Sequence, residues 1–297
     1  MLLNWDLISG AVVLGIFTGG IYALMASGLT LTFGVMDVIN VAQGALVILG
    51  AYLSYAVEQH LHIDIFLSLL ITMPAMFLIG MLLEVAFIRP LKHERTVFSI
   101  LVTFAIALVI EGILGKIFTT NFVQLGANAW YVNQSFKIGG TYVGYIYLFG
   151  FVLAAVLLAG LYLLLYRTRF GFALRATVEN RTAAQLIGID VERVSAITFG
   201  IGVSLAAAGG MAFGATQTFD PGSHYDLISR LLAIIILGGM GSLAGAMIAS
   251  IFMLVVFNVT SVVYSPTWGT VVFFVLLSVV LLVRPQGFLG RAEARRQ

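Results

Sequence analysis

The chain has 297 residues, 61% hydrophobic and 9% charged, with 15 Lys and Arg against 13 Asp and Glu and no cysteine. A soluble domain of this size carries a charged skin of about a quarter of its residues, so a soluble enzyme or binding module is excluded. The lack of cysteine excludes a disulfide framework, a thiolate metal site and a thiol nucleophile.

Apolar runs of roughly 20 residues, the length that crosses a bilayer as a helix, recur throughout. They predict one all-α, polytopic membrane domain over residues 1–297. MLLNWD has no basic n-region, and the apolar run after Asp6 is too long for a cleaved signal peptide. Residues 7–33 are therefore expected to be a retained first span. The remaining spans are predicted at 37–57, 63–88, 97–119, 142–166, 195–216, 225–242, 244–263 and 269–283. The glycine-rich stretches VMDVINVAQGAL (35–46) and GGMGSLAGA (238–246) leave the count at eight to ten, because either is a turn or a re-entrant break.

Three interruptions are basic: RPLKHER (89–95), the stretch 167–194, and the tail RPQGFLGRAEARRQ (284–297). They hold 12 of the 15 Lys and Arg. Basic loops stay on the cytoplasmic side, so all three are expected there. Even numbers of spans separate them, and the three spans before RPLKHER place the N-terminus outside. The C-terminus is expected inside.

The two glycine-rich stretches read as broken helices in matching positions of two halves, the sign of an internal repeat around a translocation path. Their alternative reading is close helix packing through small residues. Between them, RTRFGFALRATVENRTAAQLIGIDVERV (167–194) gathers five arginines. Within it TAAQLIG (182–188) reads as a short helix. Thr182 and Gln185 form a capping box, and Gly188 supplies the left-handed end. Such a helix is shaped to fit a partner's groove, presenting Ala183, Ala184, Leu186 and Ile187. The plainer reading is a solvated loop that only sets topology.

GFALRATVENRTAAQLIGID is similar to the cytoplasmic loop of bacterial ABC-transporter permeases of the branched-chain amino acid type, the LivH/LivM family. GLTLTFGVMDVINVAQGALVILGAY (28–52), RPL (89–91), ILGGMGSLAGA (236–246) and RPQGFLG (284–290) also resemble that family, in order. The resemblance spans nearly the whole chain and is nearer to the LivH-like member. It implies one half of an importer pore in the bacterial inner membrane, with a second, LivM-like permease, two cytosolic ATPases and a periplasmic substrate-binding protein. No G-x-x-x-x-G-K-[ST] phosphate loop is present, so ATP and Mg are expected on the partner subunits, with no cofactor in this chain. The 167–194 loop then becomes the ATPase-coupling element, with Arg175, Ala176, Glu179, Asn180, Ala183, Leu186 and Gly188 in the family's loop pattern.

Polar groups inside spans face the bundle interior or a cavity. Asn40 and Gln43, with Gly44, Gly239 and Gly241, are the candidate substrate-pathway residues. Asn40 and Gln43 serve equally to satisfy backbone at a kink. The chain departs from the family at Gln43, where many members carry histidine, and at Ala45, often acidic. Glu111 and Lys116 form a candidate intramembrane pair, the coupling group of a stand-alone secondary transporter. The other reading keeps Glu111 paired or wet inside the bundle and sends Lys116 to the outer surface. Asp226 and Arg230 are expected to form an i, i+4 ion pair; the other reading has Arg230, near the outer end of its span, meet an anionic substrate or the binding protein. Ser27, Thr103 and Asn258 are isolated. The polar, aromatic loop 120–143 is either a structured cap or a receiving surface for a binding protein. His60, His62, His93 and His224 lack metal-ligand spacing and no G-x-S-x-G elbow occurs, so no enzyme chemistry is expected, and the histidines read as solvated loop residues. Related permeases handle leucine, isoleucine and valine, and others urea, short amides or aromatic acids.

Overall fold

A computed structural model describes residues 5–91, 95–138, 141–284 and 286–289. In a membrane every backbone polar group must be satisfied within the chain, and helices supply nearly all of this one. In order they are α1 (Trp5–Met36), α2 (Gln43–Leu61), α3 (Ile65–Leu83, continued by a π-helical turn Glu84–Ile88), α4 (Arg95–Phe118) and the single turn α5 (Trp130–Asn133). A hairpin of β1 (Ser135–Ile138) and β2 (Thr141–Gly144) follows, then α6 (Tyr145–Arg167), α7 (Arg169–Glu179) and α8 (Arg181–Leu186). The chain ends with α9 (Val191–Thr216), a 3-10 turn at Pro221–Ser223, α10 (His224–Gly238), α11 (Leu243–Val263) and α12 (Pro266–Val283).

Among the described residues seven helices are long and apolar enough to cross a membrane: α1, α3, α4, α6, α9, α11 and α12. The expected spans 37–57 and 225–242 are the exceptions. They correspond to α2 and α10, each entered through non-helical backbone. At 15 residues, α10 is about 22 Å long, short of the ~30 Å hydrocarbon core.

The unwound stretch after α1 penetrates the bundle. The Thr96 hydroxyl donates to the Asp37 carbonyl at 2.9 Å. Seven residues along α4, the Thr103 hydroxyl donates to the Ile39 carbonyl at 3.3 Å and accepts the Val41 N–H at 3.0 Å. That interval is about 10 Å along a helix, so residues 37–42 climb beside α4 before α2 begins. After α9 the chain does the same at the other end. Phe219 exchanges both backbone hydrogen bonds with Val123, its fully buried ring lies 4.9 Å from that of Tyr52, and α10 starts against Gly44 of α2.

These parallels define an inverted repeat. α1 and α9 run in opposite directions, and each is followed by an extended segment and a shorter helix. α1 packs chiefly on α11, and its counterpart α9 chiefly on α3. The partner of the 37–42 break is therefore 217–223. The glycine-rich 238–246 is instead a tight turn between α10 and α11, with Gly239 and Gly241 at φ +97° and +81°. Gly238 and Gly245 touch there: a Cβ on Gly245 would lie 2.0 Å from the Gly238 carbonyl oxygen.

Small residues bring the central helices together. A Cβ on Gly28 of α1 would meet the Gly202 carbonyl oxygen of α9 at 2.3 Å, the close backbone approach that drives helix association in lipid. The Phe288 and Leu289 N–H groups donate to the Leu237 and Gly238 carbonyls. Phe288 and Leu289, late in the RPQGFLG motif, thus fold back to satisfy the end of α10, where orphan carbonyls need partners. Tail residues 290–297, with three of the basic residues expected inside, lie outside the described residues, as do Lys92, His93 and Glu94.

Candidate functional site

The basic interruptions meet at one end of the bundle. Arg89 lies 3.3 Å from the buried Glu84 and 3.5 Å from Glu192 in the first turn of α9. Thr96, beside Arg95, holds Asp37. The opposite end is closed by loop 119–144. Its Gly126 N–H donates to Glu58, the Leu125 N–H to the Gly214 carbonyl, and the Tyr131 hydroxyl to Asp64. Burial and the adjacent Asp64 carboxylate push the Tyr131 hydroxyl well above the usual phenol range. These contacts make the loop a structured cap on that end.

At the basic end, α7 and α8 form a paired-helix projection. Thr168 caps α7 by accepting the Gly171 N–H at 3.1 Å, and Gly171, Leu174 and Thr177 line its buried stripe. Arg175 fastens the projection to α6. Its guanidinium sits 5.1 Å over the Tyr166 ring and donates to the Leu165 carbonyl. The cap of α8 is Asn180, whose Oδ1 accepts the Ala183 N–H at 3.0 Å, and not the expected Thr182. The helix starts two residues earlier than the capping-box reading placed it. At its other end Gly188, at φ +87°, donates to the Gln185 carbonyl and Ile189 to that of Ala184. These are the two hydrogen bonds of a Schellman motif.

The apolar surface of α8 also differs from expectation. Ala184 is buried against the chain itself, while Leu186 and Ile187 are 84% and 70% exposed. Ala183, Gln185 and Glu179 are exposed, and Ala176 is half-buried. Phe172 and Val178 of α7 are exposed as well. α7 as a helix escaped the sequence reading, although Thr168 and the 170/174/177 spacing signal it.

Asn40 and Gln43 are fully buried. Asn40 Nδ2 donates to Gln43 Oε1 at 3.2 Å, and Gln43 Nε2 reaches the Met25 and Gly202 carbonyls at 3.4 and 3.5 Å. Together they brace the start of α2 where α1 crosses α9. Gly44 is wedged against α10.

A cavity of about 180 Å³ opens elsewhere, lined by α1, α6, α9, α10 and α11. None of Asn40, Gln43, Gly44, Gly239 and Gly241 borders it. Arg230 and Asp226 do, joined at 2.8 Å. Thr18 and Asn258 also line it, 3.3 Å apart. A separation of 240 residues hid that pair from the sequence. Glu111 engages His224 at 3.1 Å and Tyr225 at 2.9 Å, not Lys116, which is exposed. His224, expected to be a solvated loop residue, is only 2% exposed. Among the described residues no group of His, Asp and Glu could hold a metal ion.

A multi-pass helical bundle with an inverted repeat, a projection at its basic end and a charged cavity defines a membrane transport protein. The chain belongs to the family described as the branched-chain amino acid transport system permease component, whose model matches residues 11–281. It is 30% identical to a probable branched-chain amino acid transport permease, LivH, of Methanocaldococcus jannaschii, over 93% of this chain and 90% of that one. It is 28% identical to the high-affinity branched-chain amino acid permeases BraD of Pseudomonas aeruginosa and LivH of Escherichia coli, over 95% of each chain. No solved structure gives a significant match.

Proposed function

We propose that this chain is a pore subunit of an ATP-driven importer for branched-chain or other small amino acids, coupled to separate ATPases through residues 167–194. The α7–α8 projection carries the reading. ATP-driven closure of two ATPases moves a pore only through an element that resists bending. Here a helix pair, capped at both ends, stands beside α9, and Glu192 ties the start of α9 to Arg89 and Glu84. The ATPases bind ATP and Mg. A second, LivM-like permease completes the pore, and a periplasmic binding protein delivers substrate. The projection faces the cytosol of a cytoplasmic-membrane protein. Leu186, Ile187 and Ala183 enter the ATPase groove, rimmed by Glu179, Asn180 and Gln185, while Arg175 and Ala176 hold the base and Gly188 ends the helix. Gln43, Asn40, Gly44, Gly239 and Gly241 set the geometry of the helices that flank the path.

Glu179→Lys and Ala183→Asp test it. Each is expected to abolish uptake and transport-coupled ATPase activity in a reconstituted complex, while the chain still inserts and assembles with the second permease. Normal coupled ATPase activity in either variant overturns the docking assignment.

A further inference from the structure

The cavity between α1, α10 and α11 has a chemistry that the family assignment does not use. Arg230 is 13% exposed, and its head lies over two rings, with the centroids of Phe257 at 4.5 Å and Phe273 at 5.8 Å from the guanidinium carbon. It meets Asp226 through Nε, and its two terminal nitrogens make no hydrogen bond among the described residues. A largely buried guanidinium with both terminal nitrogens unpaired is an arrangement that binds a carboxylate bidentately. Asp226 lies at the mouth, 58% exposed.

The remaining lining mixes apolar side chains with hydroxyl and amide groups, among them those of Tyr22, Thr216, Gln217 and Asn258. Leu14, Ile21, Phe213 and Leu254 form the wall. Asn258 Nδ2 is committed to Thr18 and to the Leu254 carbonyl, which leaves its carbonyl oxygen as an acceptor. The volume, about 180 Å³, slightly exceeds the ~150 Å³ cavity that holds one benzene. One positive and one negative side chain leave the site neutral overall.

We propose that this cavity is a substrate site within the permease itself, for a zwitterionic amino acid with a small apolar side chain. Arg230 takes the carboxylate, Asp226 the ammonium group, and the Leu14–Ile21–Leu254 wall the side chain. An amino acid inserts between the two charges and replaces their mutual contact, so neither is left unpaired. A second net charge on the substrate would have no partner. The inference rests on the importer reading and adds selection by the membrane subunit to it.

The chain contains no cysteine, so a single introduced thiol reports on the cavity. In the reconstituted complex, Thr18→Cys is labelled with a small thiol reagent in the presence of leucine, 4-methylpentanoate or 3-methylbutylamine; Asn258→Cys is the second position. Leucine at ten times its half-protecting concentration is expected to slow labelling about tenfold. The two compounds that lack one charge are expected to protect at least tenfold more weakly. Adding Arg230→Gln should remove protection by leucine. If leucine leaves labelling unchanged at both positions while the same complexes import leucine, the site is wrong and the importer reading stands. If the native complex imports no amino acid on ATP hydrolysis, the importer reading falls, and this site with it.

Discussion

Two residues three positions from a helix amide competed to start α8, and geometry chose between them. Asn180 has extended backbone, φ −155° and ψ 108°, the conformation an N-cap requires. Thr182 lies already inside the helix, so its hydroxyl has no free amide to reach. Asn180→Ala should therefore cost about 1 kcal/mol of local helix stability, and Thr182→Ala only a few tenths. Under the proposed coupling role of the projection, the first should lower the ratio of substrate imported to ATP hydrolysed, with Asn180→Asp restoring it. Equal effects of the two alanines in reconstituted vesicles would return the cap to Thr182. A T-x-x-Q pattern was legible in the sequence; which oxygen faced the amide depended on where the previous helix ended.

At the scale of elements, the inverted repeat explains why small residues concentrate on α1 and α9. Each is the long central helix of its half, and each is buried over much of its length. At their crossing a Cβ on Gly28 would also stand 2.8 Å from Gln43 Nε2, so a single methyl group strikes both the helix contact and the brace on α2. Gly28→Ala should lower the thermal midpoint of the purified chain in detergent, with overpacking of about 1–3 kcal/mol. Gly160→Ala on α6, where a Cβ meets nothing within 4 Å, should leave it unchanged or raise it. A midpoint insensitive to both would mean the crossing is looser than described. The apolar spans and their alternation were readable from periodic composition, since lipid demands them. The pairing of 37–42 with 217–223 was not, because QTFDPGS holds a single glycine, not the cluster that drew attention to 238–246. The cavity was half legible: Asp226 and Arg230 are one helical turn apart, whereas Thr18 and Asn258 meet only after the halves interlock.

For the whole molecule, the decisive quantity is which end faces which compartment. Ion pairs and charge interactions place Glu84, Arg89, Arg95, Arg181 of α8 and the start of α9 together, and Glu58, Asp64 and residues 123–131 of the cap together at the other end. Helix packing holds this arrangement whichever way the molecule is inserted. Only the bias of basic loops against translocation selects a direction, and under the proposed function it is expected to put the projection in the cytosol. The cysteine-free chain permits a direct reading. Leu186→Cys at the tip of the projection and Phe122→Cys on the cap, 84% and 70% exposed, should respond oppositely to a membrane-impermeant thiol reagent. Intact cells, or spheroplasts where an outer membrane is present, should label residue 122 and spare 186, and inside-out vesicles should reverse the pattern. Labelling of 186 from outside would invert the molecule. The ATPases could then not reach α7 and α8, and the cavity bounded by Arg230 would open toward the cytosol, as in an exporter.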